Sequence, residues 1–316
     1  MKILFISSNL IGDSILSTGI LSYLIKNREN ANLTIVTGPT AGEIFLNFPK
    51  IDKIITIKKM KFRIHWLILW YKLIGSKWDL IIDLRSSLLS YFLITKERKI
   101  YRNNNELITQ VEKLSNFIGT KKIHSPIIYT KVEDELKAKS LIANHTVVAI
   151  APGGNWRPKI WPIENFLNLI IDLDAEYKSD IKFLLIGSIK EKKYYDYLLS
   201  KLSKKLLINF MGQNLNLTYC SLKLCKFFIG NDSGLMHLSA ASGIPTIGLF
   251  GPTKDEWYKP YGEKCYVIRT KENLEELRKN VDPNISLMNS IKTKDVINFI
   301  KVKKLLENEK YNNNKT

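Results

Sequence analysis

The feature that most constrains this chain is a recurring unit: a short, wholly apolar run, then a turn of small or polar residues, then apolar residues at helical spacing. The first unit is KILFISS, Lys2 to Ser8, followed by a helical pattern over Asp13 to Ile25. It recurs as LTIVTG (Leu33 to Gly38) with a helical stretch near Ala41 to Asn47, as KIITI (Lys53 to Ile57) and as DLIIDLR (Asp79 to Arg85). Runs that are apolar on consecutive residues are buried on both faces, which requires a parallel sheet covered by helices. A charged helical connector, Lys131 to His145, separates this half from a second series. That series contains TVVAIAPGG (Thr146 to Gly154), an amphipathic helix from Ile163 to about Tyr177, KFLLIG (Lys182 to Gly187) and FFIGND (Phe227 to Asp232). A small-residue helix over Ser233 to Ser242 and the strand IPTIGLF (Ile244 to Phe250) follow.

A chain of 316 residues is too long for one typical core. The expectation is an α/β protein of two Rossmann-like domains facing across a cleft, one over 1–140 and one over 141–310, with the polar 311–316 as a disordered tail. No run approaches the roughly 20 apolar residues of a spanning helix, and the opening MKILFISSNLIGDS lacks a basic region with a cleavage site, so a cytoplasmic protein is expected. Cys220, Cys225 and Cys265 are too few and too irregularly spaced for a disulfide framework or a zinc site and read as packing residues. The net charge of +18 fits nucleic acid, an anionic membrane or phosphorylated substrates, and composition does not choose among them. No nucleic-acid motif is present, so no nucleic acid is expected as a partner. There is also no GxxxxGK[ST] loop, no GxGxxG after the first strand and no His/Cys cluster at metal spacing. Asp172 and Asp174 fall inside a helical pattern, where residues two apart diverge, and read as surface.

In an open parallel sheet, ligands bind beyond the carboxyl ends of the strands. The loop IGNDSGLMHLSAASG, Ile229 to Gly243, offers a helix start that Ser233 can cap, with Gly234 permitting close backbone approach. The free amides form a phosphate cradle, Asp232 can accept from hydroxyls, and His237 lies one turn on from Ser233. The same residues are equally an ordinary capped turn with a core histidine. APGGNWRPKIWP, Ala151 to Pro162, supplies Gly153, Gly154, Asn155, Arg157 and Lys159, which is diphosphate chemistry or a solvated basic loop. In SSNLIGDSILSTG, Ser7 to Gly19, Asp13 is either a helix cap or a general base for an acceptor hydroxyl. Lys58 to Trp78 reads as a basic amphipathic segment, with Phe62, Trp66, Leu69, Trp70 and Leu73 on one face and Lys61, His65 and Lys72 on another. It either packs on the first sheet or lies on an anionic membrane, with Lys58, Lys59, Lys61, Arg63, Trp66 and Trp70 making contact.

Taken in order, Gly12-Asp13, FPKIDKII, WDLIIDLRSS, APGG followed by KIWP, and NDSGLMHLSAASGIPTIGLFGPT resemble the heptosyltransferases of glycosyltransferase family 9. The resemblance implies a GT-B fold, acceptor binding by the first domain and nucleotide-sugar binding by the second. It implies an inverting transfer of a sugar, ADP-heptose being the expected donor, to a lipopolysaccharide core acceptor. Asp13 then resembles the catalytic base, Lys159 the lysine that neutralises the diphosphate, and Asp232 the carboxylate on sugar hydroxyls. Ser233, Gly234 and His237 match the donor-binding helix start. Gly19 and Leu235 stand where the family often has proline, and Gly153-Gly154-Asn155 where heptose-specific members often have paired threonines. The scheme requires no metal and no cofactor besides the donor. Its rivals are a sugar-nucleotide epimerase on the same architecture and a basic nucleic-acid-binding protein.

Overall fold

The apolar runs form two parallel sheets in a computed structural model that describes residues 1–58, 60–142, 145–177, 181–279 and 281–307. The side chains of Arg63 and Lys193, and the tail from Tyr311, lie outside the described residues. The first half runs β1 (Lys2–Ile6), α1 (Ile11–Lys26), β2 (Asn32–Thr37), β3 (Ile51–Thr56), α2 (Ile64–Leu73), β4 (Trp78–Asp83) and β5 (Thr95–Ile100). Its sheet has the order β3-β2-β1-β4-β5. Helices α3 (Gln110–Phe117) and α4 (Val132–Ile142) lead to β6 (Thr146–Ala151), α5 (Ile163–Tyr177), β7 (Ile181–Leu185), α6 (Lys192–Lys201), β8 (Leu207–Asn209) and α7 (Leu215–Leu222). The chain continues through β9 (Phe227–Asn231), α8 (Gly234–Ser242), β10 (Thr246–Phe250), α9 (Asp255–Tyr258), β11 (Cys265–Arg269), α10 (Leu274–Arg278) and α11 (Thr293–Val302). The second sheet has the order β11-β10-β9-β6-β7-β8.

These orders fix where a ligand goes. In the first sheet the winding reverses between β1 and β4, and in the second between β6 and β9. Loops diverge at such switch points and leave a crevice at the carboxyl ends of the strands. The four loops that matter are therefore those after β1, β4, β6 and β9.

Several elements differ from the sequence reading. Ala41 to Asn47 is a short 3-10 turn, Ala41–Phe45, rather than a longer helix. Helix α1 is buried on almost every side because it lies between its own sheet and α8 of the second half. Its hydroxyls are satisfied internally: Thr18 donates to the Ile15 carbonyl and accepts from the Ile127 amide at 2.9 Å, and Ser22 pairs with the Tyr129 hydroxyl at 3.2 Å. Gly19 lies directly under the His124 and Ser125 backbone, which leaves no room for any Cβ. The charged connector is α4, which rests on α7 through buried Ala138 and Ile142. One apolar cluster runs from Ile3 and Phe5 through Leu16, Ile20 and Leu21 to Leu217, Phe228 and Leu238, and so joins the facing sides of both sheets.

Helix α2 packs on the outer face of the first sheet through His65, Leu69 and Leu73, with Trp66 and Trp70 partly covered beside them. The expected faces are thus redrawn. His65 points inward, its Nδ1 accepting from the Met60 amide at 3.2 Å, and Phe62 points outward with 93% exposure. The reason is a left-handed backbone at Phe62, φ 52°, which breaks the helical projection before α2 begins at Ile64. Lys58 and Lys61 are exposed, whereas Lys59 lies outside the described residues.

A close joint forms between the N-termini of α1 and α8. A Cβ on Gly234 would stand 2.8 Å from Ile11 Cβ and 3.1 Å from the Gly12 nitrogen. Gly234→Ala is accordingly expected to part the two helices and cost about 1–3 kcal/mol, the scale of overpacking. A denaturant titration checks this, and an unchanged midpoint would show that the joint tolerates a methyl group.

Candidate functional site

The loop after β1 carries Ser8, Asn9 and, in the first turn of α1, Asp13. Helix α1 starts at Ile11 with Leu10 at its N-cap position, so Asp13 is not a cap. Its carboxylate accepts from Ser8 Oγ at 3.1 Å instead. Burial pushes the Asp13 carboxyl above the usual range; the Ser8 bond opposes this, Asp232 adds to it, and Lys159 opposes it in turn. Both Asp232 and Lys159 belong to the second half, so the cleft brings three of the singled-out side chains into mutual electrostatic reach.

Lys159 ends a 3-10 turn after β6 and pairs with Asp232 at the end of β9, Nζ to Oδ2 3.3 Å. Both side chains are largely covered, at 14% and 9% exposure, so the pair is held in a defined place rather than in solvent. Asn231, which the sequence reading passed over, fixes the loop between them. Its Nδ2 donates to the Pro152 and Gly153 carbonyls at 2.9 and 3.1 Å, and its Oδ1 accepts from the Trp161 amide at 2.9 Å. Gly153 is packed against α6, where a Cβ would lie 2.6 Å from the Tyr195 hydroxyl. Gly154 is half-buried and Asn155 exposed at the loop tip.

The start of α8 departs from expectation in three ways. Ser233 holds the extended N-cap conformation, yet its hydroxyl makes no cap bond and is buried without a partner among the described residues. Gly234 approaches the backbone of α1, as described above, so its missing side chain serves the joint between the halves. The His237 ring lies over Gly12, where a Cβ would meet its Cδ2 at 2.9 Å, and its Nδ1 is buried and unpartnered among the described residues. Burial drives the His237 pKa down to about 4, so the ring is neutral at physiological pH. The Thr253 hydroxyl, beyond β10, is likewise buried without a partner among the described residues. A helix start with open amides and adjacent unpaired hydroxyls suits an anion with acceptor oxygens.

Two tyrosines complete the walls, and neither was legible in the sequence. Tyr101 follows β5, and Tyr258 ends α9 in the second half. Burial first, and then the Asp13 charge, raises the phenol pKa of Tyr258; burial and Asp13 act likewise on Tyr101 against a hydrogen bond with Gln110. Trp66 and Trp70 lie outside this cluster, although Trp66 stacks under Arg85 at 4.9 Å.

Residues 102–285 match the family model described as glycosyltransferase family 9 (heptosyltransferase). The chain belongs to glycosyltransferase family 9. Over 311 aligned residues, 85% of this chain and 88% of the relative, it is 23% identical to lipooligosaccharide heptosyltransferase 2 of Haemophilus ducreyi. A family 9 glycosyltransferase structure from Veillonella parvula superposes with TM-score 0.80 at 21% identity, covering 97% of this chain and 98% of that one. The E. coli ADP-heptose lipopolysaccharide heptosyltransferase II structure gives TM-score 0.75 at 20% identity, with the same coverage. The fold is thus the two-Rossmann GT-B arrangement of family 9 glycosyltransferases.

In such a transferase a general base works only when deprotonated, so activity falls as pH drops through its pKa. With the Asp13 pKa raised, the acid limb of the pH–kcat profile is expected above the ordinary aspartate range. Ser8→Ala removes the bond that favours the carboxylate and should move that limb to higher pH. Asp13→Asn should lower kcat by roughly a hundredfold or more. A limb unmoved by Ser8→Ala, or full turnover in Asp13→Asn, would separate Asp13 from proton transfer.

Proposed function

We propose that this glycosyltransferase moves a heptose from ADP-heptose to a hydroxyl of a lipopolysaccharide core acceptor, with inversion at the anomeric carbon. The acceptor is assigned to the unit 1–140 and the donor to the unit 141–310. The observation that carries the reading is the half-buried Asp13, with its raised pKa, set against the Lys159–Asp232 pair across the α1–α8 joint. Asp13 takes the proton of the acceptor hydroxyl as its oxygen bonds to the anomeric carbon. The bond from that carbon to the diphosphate oxygen breaks, and ADP leaves with the electron pair. Lys159 and the amide end of α8 stabilise the departing charge, where fixed donors in a dry cleft act most strongly. Asp232 accepts from sugar hydroxyls. The scheme draws on no metal or further cofactor.

Family membership, together with the heptosyltransferase activity of the named relatives, favours transfer over epimerisation. The deciding assay supplies ADP-heptose and a heptose-deficient core oligosaccharide and follows the mass of the acceptor. Donor isomerised without acceptor would indicate an epimerase, and transfer from another nucleotide sugar would replace heptose in the reading. Lys159→Ala is expected to weaken ADP binding by about 1.5–3 kcal/mol, the range for a charge-assisted hydrogen bond in a covered site. Calorimetry measures this, and unchanged affinity would remove Lys159 from the donor site.

We also infer that the enzyme is cytoplasmic and rests peripherally on the anionic inner face of the cytoplasmic membrane. No helix among the described residues is long and apolar enough to cross a membrane. Support comes from the outward face of α2, where Leu67, Ile68 and Tyr71 are exposed, and from exposed Leu88 and Phe92 on the neighbouring turn. Trp70 Nε1 ties the two segments by donating to the Phe92 carbonyl at 3.2 Å. Exposed Lys58, Lys61 and Lys72 border this apolar surface, the combination that favours an anionic interface. Changing these three lysines to glutamine should reduce sedimentation with phosphatidylglycerol vesicles at low salt by roughly tenfold or more. Binding unchanged by the substitution, or absent in the parent, would refute the membrane assignment.

A further inference from the structure

The loop after β4 places a cation beside the acceptor half of the cleft that neither the base nor the donor accounts for. Arg85 lies two residues beyond β4, at the switch point of the first sheet. Its Nη1 donates to Asn9 Oδ1 at 3.1 Å, and its guanidinium lies over the Trp66 ring, 4.9 Å from the centroid. Its backbone amide donates to Asp83 Oδ1 at 2.8 Å, while Asp83 Oδ2 is occupied by the Ser87 amide and hydroxyl. Among the described residues no carboxylate comes within ion-pair distance of the guanidinium. Other arginines are better served: Arg269 meets Asp255 and the Gly251 carbonyl, and Arg98 donates to the Ser90 and Leu93 carbonyls.

We propose that Arg85 is the anion anchor of the acceptor, binding a carboxylate or phosphate group that the acceptor carries near its reacting hydroxyl. A half-buried guanidinium has lost hydration that one amide oxygen, one ring and the charge of Asp83, whose oxygens are taken by two amides and the Ser87 hydroxyl, do not replace, and an oxyanion ligand supplies what is missing. Its fork offers donors that match either group two at a time. The position is that of an acceptor residue. Ser8 holds Asp13 and the adjacent Asn9 holds Arg85, so the base and the anchor are tied to consecutive residues of one loop. Lys159 and the start of α8, which face the donor, lie in the other half. Trp66 carries the guanidinium from below, which makes it a positioning residue and links α2 to the cleft.

The inference rests on the acceptor reading above, and its test keeps the two apart. Transfer kinetics and acceptor calorimetry are run for the parent, Arg85→Gln, Arg85→Lys and Trp66→Leu, with three core oligosaccharides: intact, carboxyl-esterified and dephosphorylated. Arg85→Gln is expected to raise the KM and Kd for the intact acceptor roughly 10- to 100-fold and leave ADP affinity unchanged. Arg85→Lys should recover part of this loss, and Trp66→Leu should show a smaller rise that disappears in the Arg85→Gln background. The parent should lose the same factor on one neutralised acceptor, on which Arg85→Gln then carries no further penalty. Whether that acceptor is the esterified or the dephosphorylated one identifies the anion. An equal penalty for Arg85→Gln on all three acceptors, or none on the intact one while the parent transfers normally, overturns the anchor alone. Failure of the parent to bind the intact oligosaccharide overturns the anchor and the acceptor reading together.

Discussion

Two glycines, Gly12 and Gly234, let the N-termini of α1 and α8 approach backbone to backbone, and the rest of the site depends on that contact. Asp13 belongs to the first of these helix starts, and Asp232 and Ser233 lead into the second. Were the helices held apart at the roughly 8–10 Å of side-chain-separated packing, Asp232 and Lys159 would stand farther from Asp13. The His237 ring fills the remaining space over Gly12, and burial keeps it neutral, so it adds no charge between the two carboxylates.

The state of Asp13 is a contest between opposing effects. The positive end of α1 and the Ser8 hydroxyl favour the carboxylate. Burial and the neighbouring Asp232 work against it, and the net effect is a pKa above the ordinary aspartate range. A carboxylate tuned in this way accepts a proton more readily than an exposed aspartate does, and the Lys159–Asp232 pair keeps the second carboxylate from raising the pKa still further. Asn231 makes this arrangement stable by fastening the loop after β6 to the end of β9 through three hydrogen bonds.

The central strands were legible because β1, β4, β6 and β9 are buried on both faces and read as unbroken apolar runs. The edges were not. Strand β5 has the sequence TKERKI and β8 only three residues, since edge strands carry charge and stay short. Asp13, Lys159 and Asp232 could be picked out by their place after strands, but their partners could not. Ser8 lies next to the cleft only once α1 has folded back, and Tyr101 and Tyr258 reach it from opposite halves. Asn231 did carry a signal, standing directly before Asp232 in the strand-end motif. Helical spacing put His237 on the side of Ser233, but the ring turned to Gly12, which has no Cβ. For Phe62, a single left-handed residue defeated a projection that assumed a continuous helix.

The apolar cluster that joins the facing sides of both sheets has a consequence for how the chain comes apart. Two domains linked only by a tether melt independently, each with its own transition. Here Leu16, Ile20 and Leu21 of α1 share a core with Leu238 of α8, and Ala138 of α4 with Leu217 of α7. Cutting the chain between the sheets would leave each fragment with a bare apolar face, the condition that drives aggregation. The two sheets are therefore coupled into one cooperative unit, and neither half is expected to survive as a free-standing module.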